Sequence, residues 1–294
     1  DPKLWLDKNE NPDPELAAVV QTVVANLPAK TFRTYPEAGP LYRKLATWTG
    51  LQSDNILLSA GSDGAIRAVF EAYVAPGDVV LHTAPTFAMY AVYGRIYGAD
   101  CRPLSYTPSN DGPALRAEDL ISAIRTERPR LTCIPNPDSP TGTVFSESEM
   151  RSIIETAGTT ESLILVDEAY YPFHAETVLP WVRDYDHLVV TRSTGKAWGL
   201  AGFRIGYAAA GKDIARSLHK VRAMYETNFV AIAVFEAMLD HTEDMLASVA
   251  RLEAGKSGFL EAMDVLGFRT LRGKGNFLHV NFGAQADTIH AALA

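Results

Sequence analysis

The densest concentration of chemically useful side chains is the run Arg192-Ser193-Thr194-Gly195-Lys196-Ala197-Trp198-Gly199-Leu200-Ala201-Gly202-Phe203-Arg204-Ile205-Gly206-Tyr207. Small and apolar neighbours would partly desolvate Lys196, lower its pKa from the ordinary ~10.4 and favour Schiff-base formation with a carbonyl compound. A solvated surface position is the simplest account of any single lysine. Such a lysine requires neither the four glycines from Gly195 to Gly206 nor an arginine set between two of them. Asp167, in Asp167-Glu168-Ala169-Tyr170, follows the apolar run Leu163–Val166. A carboxylate at the end of a buried strand needs a cationic or protonated partner to stay ionised. Either Asp167 caps a following helix or it faces a protonated heterocycle. The turn Ala60-Gly61-Ser62-Asp63-Gly64 is similarly two-sided. It is a plain turn and cap, or it offers close backbone approach and free amides to an anion such as phosphate.

These residues need a scaffold, and the rest of the chain describes one. The 294 residues are 47% hydrophobic and 21% charged, which excludes a disordered, collagenous or disulfide-built chain. A net charge of -8 gives no basic footprint, so neither nucleic acid nor an anionic membrane is an expected partner. Cys101 and Cys133 are the only cysteines and have no metal-ligand spacing; no metal is expected, and a reducing cytoplasm suits them. The opening DPKLWLDKNENPDPE shows no signal peptide, and no apolar run is long enough to span a bilayer. Six short apolar runs, Ile56–Ser59, Val79–Leu81, Leu131–Ile134, Leu163–Val166, Leu188–Thr191 and Ile205–Ala209, read as strands buried on both faces. Helices are predicted after Gly39-Pro40, from Ser62, and from Ser146, where Ser146 and Glu149 have capping-box spacing. Thr107–Pro113 reads as a loop. Helices over Ile214–Tyr225, Ala231–Leu239 and Met245–Leu266 precede a strand pair, Phe268–Leu271 and Phe277–Phe282. The prediction is an α/β protein whose large domain, residues 30–216, has a mostly parallel central sheet flanked by helices. Residues 1–29 and 217–294 form an N-terminal arm and a smaller α+β domain, expected to continue past the helical pattern IHAALA.

Seven ordered motifs carry a resemblance. They are Asn9-Glu10-Asn11-Pro12, Tyr35-Pro36, Gly61-Ser62-Asp63, Pro85-Thr86-Phe87, Asn136-Pro137 with Pro140-Thr141-Gly142, Asp167-Glu168-Ala169-Tyr170, and Lys196 with Gly199–Arg204. In these the chain resembles the fold-type I pyridoxal-phosphate aminotransferases (class I/II), within them the histidinol-phosphate aminotransferase-like group. The resemblance implies that pyridoxal 5'-phosphate is the cofactor and that Lys196 forms a Schiff base with it and moves the substrate Cα proton. It implies that Asp167 pairs with the pyridinium nitrogen, that Tyr170 donates to the phenolic oxygen, and that Phe87 stacks on the ring. The phosphate would be held by the turn at Gly61, Ser62 and Asp63, by Ser193 and Arg204, and by Tyr35 from the second subunit of a homodimer. An amino donor and a 2-oxo acid would be the substrates.

Three positions depart from that pattern. Ser139 replaces the asparagine that bonds the phenolic oxygen, so its hydroxyl must reach there. Gly195 replaces a serine of the phosphate site. Asp13 stands where the histidinol-phosphate enzymes place a tyrosine against the substrate's phosphate; its negative charge there predicts a different substrate. The arginine that the family uses for the substrate carboxylate is expected beyond Ala294. Three functions therefore compete: transamination, decarboxylation or elimination of a (phosphorylated) amino acid on the same cofactor, and a non-catalytic binding module. Retention of Lys196, Asp167, Tyr170 and Arg204 argues against the last. A nucleotide site is set aside, since no G-x-G-x-x-G or G-x-x-x-x-G-K-[ST] occurs.

Overall fold

The computed structural model describes residues 7–110 and 112–293; the opening residues 1–6 and Asp111 of the expected loop lie outside them. Strands β1 (Ile56–Ser59), β2 (Val79–Ala84), β3 (Asp100–Ser105), β6 (Leu131–Pro135), β7 (Leu163–Asp167), β8 (Leu188–Ser193) and β9 (Gly206–Ala210) form one sheet in the order β1-β9-β8-β7-β6-β2-β3. The two shortest, β4 (Thr107–Ser109) and β5 (Gly112–Ala114), pair as a hairpin where a loop was expected. Composition there marks the turn, and three residues a side carry too little periodicity to show a ladder. Pairing is parallel from β8 through β7, β6 and β2 to β3, while β9 runs antiparallel to both β1 and β8.

Alternate residues of the central strands feed opposite faces, as a sheet covered on both sides requires. Ile164 and Val166 of β7 join one core with Leu188 and Val190 of β8; Leu163, Leu165 and Val189 join the other. Helices α1 (Pro14–Ala25), α2 (Gly39–Thr49), α3 (Gly61–Tyr73), α4 (Met89–Ile96), α5 (Ala117–Glu127), α6 (Glu147–Thr159) and α7 (Lys212–Val221) cover these faces. Helix α6 starts where its cap demands: the Ser146 hydroxyl accepts from the Glu149 amide, and the Glu149 carboxylate accepts from the Ser146 amide. Helix α7 stops at Val221, earlier than expected, because Arg222 turns to extended backbone. Beyond it come α8 (Phe229–Met238), α9 (Thr242–Val265), the hairpin β10 (Arg269–Leu271) and β11 (His279–Asn281), and α10 (Ala286–Leu293). Val234, Phe235 and Met238 of α8, Met245 and Val249 of α9 and Leu16 and Val20 of α1 pack into the same core as one face of the sheet.

The strand order brings the carboxyl ends of β1, β2, β6, β7 and β8 to one edge, with the start of β9 between Ser59 and Ser193. There β9 and the first turn of α3 touch backbone to backbone. A Cβ on Gly206 would lie 2.5 Å from both the Gly61 carbonyl carbon and the Ser62 amide nitrogen. Gly61 also sits at φ +73, a left-handed conformation that favours glycine. Gly206→Ala is therefore expected to lower unfolding free energy by about 1–3 kcal/mol, the usual cost of overpacking, in a urea titration. A neutral result would mean that α3 moves freely against β9.

Candidate active site

A cleft of about 220 Å³ opens at that edge. Its walls include Gly61, Ser62 and Asp63 from the start of α3, Phe87 after β2, and Ser139 after β6. Asp167 and Tyr170 come from the end of β7, with Ser193 from β8 and Lys196 and Arg204 from the segment leading to β9. All the predicted site residues meet here except Tyr35. That ring is 74% exposed and stacks on Tyr225 with centroids 4.4 Å apart.

Asp167 forms the floor. Its residue is 5% exposed, and its carboxylate accepts from Tyr90 Oη (3.0 Å), Thr191 Oγ1 (2.9 Å) and the Ala169 amide (3.2 Å). Among the described residues no salt bridge reaches it. Burial without a cation pushes its pKa up to about 6, against the lowering effect of these donors. Neighbouring Glu168 does have a cation: Arg192 donates to it at 2.7 Å while lying 3.5 Å over the Tyr171 ring. The two adjacent carboxylates thus face different chemistry, one neutralised in the protein and one left open to the cleft.

Tyr170 accepts from Asn9 Nδ2 at 3.0 Å and donates to Ser139 Oγ at 3.3 Å, which places the Ser139 hydroxyl beside the Tyr170 phenol. Lys196 Nζ lies 5.7 Å from the Tyr170 ring centroid and donates to the Lys8 carbonyl at 2.6 Å. Burial lowers its pKa; the Glu10 carboxylate opposes this and Arg204 adds to it. At the far end, the Arg204 guanidinium presses on the first turn of α3, where a Cβ on Gly61 would stand 3.0 Å from it. Arg204 itself occupies φ +54, an uncommon conformation for a side-chain-bearing residue, and this directs it back toward the helix N-terminus. Free amides, an arginine and the Ser193 hydroxyl converge as an anion site would require. The Ser193 hydroxyl also accepts from the Gly195 amide at 3.1 Å.

Sequence reasoning missed several contributors. Tyr90 is fully buried on α4 and reads as core until its hydroxyl is seen on Asp167. Asn9 belongs to the Asn9-Glu10-Asn11-Pro12 motif, and only the fold shows its amide on Tyr170. Asp138 is buried behind Ser139 and accepts from Thr83 (2.8 Å), Thr86 (2.8 Å) and Tyr106 (2.7 Å), which ties the segments carrying Ser139 and Phe87 together. Burial raises its pKa to about 6. The expectation built on Asp13 is corrected. Its carboxylate caps α1 through the Leu16 amide and pairs with Arg251 at 2.6 Å, and that guanidinium holds its pKa down to about 2. It is not among the residues lining the cleft, so it gives no reason to reject a phosphorylated substrate.

The family model for aminotransferase class I and II matches residues 1–293. The chain belongs to that family. It is 30% identical over 292 residues to the histidinol-phosphate aminotransferase of Thermoanaerobacter sp. (strain X514), covering 98% of this chain and 81% of the relative. It is 32% identical over 299 residues to the enzyme of that name from Symbiobacterium thermophilum, covering 98% and 79%. Its fold matches the histidinol-phosphate aminotransferase of Sinorhizobium meliloti, solved with pyridoxal-5'-phosphate, with a TM-score of 0.83 at 22% identity over 97% of this chain and 77% of that one. The protein is a pyridoxal-phosphate-dependent transaminase of fold type I. Its residues fit that cofactor on their own evidence: a buried carboxylate lacking a cation, a desolvated lysine and an anion cradle share one cleft.

The raised pKa of Asp167 has a testable sign. The folded protein keeps this proton up to about pH 6, whereas the unfolded chain releases it near the ordinary 3.8, so the group's contribution to stability falls as pH rises between those values. Asp167→Asn is therefore expected to stabilise the cofactor-free protein at pH 8 by up to about 3 kcal/mol, with the gain shrinking toward pH 4, in thermal unfolding scans. Equal stabilities at both pH values would mean that Asp167 has an unseen cation.

Proposed function

We propose that this aminotransferase moves an amino group between histidinol phosphate and a 2-oxo acid, as the names of its relatives suggest. The observation that carries the cofactor assignment is Asp167, a carboxylate buried with three neutral donors and, among the described residues, no ion pair, in the same cleft as Lys196. The decarboxylase or lyase alternative finds no support among relatives bearing transaminase names. Cys101 and Cys133 are free thiols, which accords with the cytoplasm.

When bound, the cofactor supplies an aldehyde for the amino group and a protonated ring that withdraws electrons from the carbon losing its proton. In this reading Asp167 holds the ring nitrogen protonated, and the contact in turn stabilises its ionised form. Tyr170, with its oxygen already receiving the Asn9 amide, directs its proton toward the phenolic oxygen or Ser139. Phe87 covers a ring face. The amides of Ser62 and Asp63, the close approach at Gly61, and the Ser193 and Arg204 side chains hold the phosphate. Lys196 would hold the cofactor at its aldehyde carbon and would serve as the base for the substrate Cα proton; its lowered pKa increases the neutral fraction needed for both tasks.

The same proposal includes a homodimer in which Tyr35 reaches the other copy's phosphate. Tyr35 is not among the residues lining its own cleft; it stacks on Tyr225, and both are exposed, as are their near neighbours in sequence Phe32 and Met224. Exposed apolar side chains of this size suit a protein interface.

Histidinol phosphate added to the cofactor-loaded protein is expected to bleach the yellow absorption, and a 2-oxo acid to restore it. Release of inorganic phosphate and ammonia by β-elimination instead would overturn the transaminase assignment for this substrate, and no response to histidinol phosphate beside a response to other amino acids would overturn the substrate. Lys196→Ala is expected to lower turnover by about 10⁴-fold while the far-ultraviolet circular dichroism stays unchanged.

A further inference from the structure

We infer that Lys256, on helix α9, is a positioning residue that holds the loop of residues 273–277 against the cleft and thereby fixes the substrate side of the site. The inference rests on the assignment of the cleft given above. Lys256 has a side chain only 11% exposed, with Glu253 as its salt-bridge partner at 3.8 Å. Its ammonium donates to the carbonyls of Gly273 and Gly275, both at 2.7 Å. Two carbonyls two residues apart thus converge on one cation, which curls the loop and pushes its outer side toward the active site.

That side makes five contacts with the site walls. The Lys274 amide donates to the Gly142 carbonyl at 2.8 Å. The Gly142 and Gly273 backbones touch, since a Cβ on Gly273 would lie 2.9 Å from the Gly142 Cα. This fixes the loop to the segment that carries Ser139. Gly275, at φ +99, lies under Tyr170, where an added Cβ would stand 3.3 Å from the ring. Asn276 Nδ2 donates to the Asn9 carbonyl at 2.8 Å, and Phe277 meets Tyr170 edge-on with centroids 5.1 Å apart. The loop therefore joins the Ser139 segment, Tyr170 and the N-terminal arm, and Lys256 is the side chain that gives it its shape. Removing the ammonium strands two carbonyls and releases the curl.

The role predicts which quantities change. The residues assigned to the cofactor's ring nitrogen and phosphate, Asp167, Ser62, Asp63 and Arg204, lie on the sheet edge and α3, whereas the loop touches the wall beside Tyr170. In Lys256→Met, hydrogen–deuterium exchange of residues 272–277 should rise and the KM for the amino donor should increase by about tenfold or more, the scale expected of a small misplacement. The dissociation constant for pyridoxal phosphate, read by absorbance, should stay within about threefold, because the ring-nitrogen and phosphate contacts persist and only the phenolic-oxygen contact, through Tyr170, meets the loop. Lys256→Arg, which can also donate to two carbonyls, should restore both the exchange and the KM. Gly273→Ala attacks the same contact from its other end and should reproduce the KM increase; it serves if Lys256→Met does not fold. Unchanged exchange and KM in Lys256→Met would overturn the inference. So would a cofactor dissociation constant that rises in step with KM, or a failure of arginine to restore them. A wild-type protein that never acquires the absorbance of bound cofactor would instead refute the assignment of the cleft, while loop exchange measured without cofactor still reports whether Lys256 holds the loop.

Discussion

The architecture is organised around a carboxylate that the protein deliberately leaves without a counter-charge. Asp167 ends a strand whose other residues are fully apolar and buried, so its desolvation is imposed by the sheet itself. Tyr90, Thr191 and the Ala169 amide satisfy its lone pairs without cancelling its charge. One residue later, Glu168 receives a guanidinium and is electrostatically complete. The contrast separates a carboxylate that maintains structure from one poised for a ligand. A buried charge of this kind is tolerated only where something else supplies the missing partner, and so the cofactor and the fold are energetically linked.

The rest of the site follows from where strand ends fall. Because β1, β2, β6, β7 and β8 all finish at one edge, the segments that follow them bring their polar residues into one cleft although those segments are far apart in sequence. The single reversed strand, β9, has a separate use. It starts at that edge, where Gly206 permits backbone contact with α3, and the preceding Arg204 is carried onto the amides at the helix start. Parallel strands deliver the acid and the lysine; the antiparallel one completes the anion cradle.

Much of this was legible in the residues alone, for identifiable reasons. Strands buried on both faces announce themselves as continuous apolar runs, and five of the six predicted runs begin at the residue where the strand begins, from Ile56 to Leu188. The Ser146 cap was legible because its chemistry is local, within three residues. Strand β3 was not, since Asp100–Ser105 is a half-exposed edge containing Arg102 and Pro103 and has no apolar run to detect. Tyr90 and Asp138 escaped because their partners lie 77 and 32 to 55 residues away. Asp13 misled for the same reason. A carboxylate's effect depends on its neighbour, and its neighbour is Arg251.

The N-terminal arm carries the longest of these separations. Lys8 meets Lys196, Asn9 meets Tyr170, Asn11 meets Ser248 and Asp13 meets Arg251, across 161 to 238 residues. The arm thus leaves the ribosome long before its partners and is among the last segments to find its place. Until α9 has emerged, Asp13 lacks Arg251 and Asn11 has the Ala197 carbonyl without Ser248, so the arm that brings the Lys8 carbonyl and the Asn9 amide to the cleft is held by fewer contacts. Loop closure over such distances is entropically expensive and slow to nucleate. The sheet is complete by Ala210, whereas the arm that closes the active centre gains its last anchors only from Ser248 and Arg251.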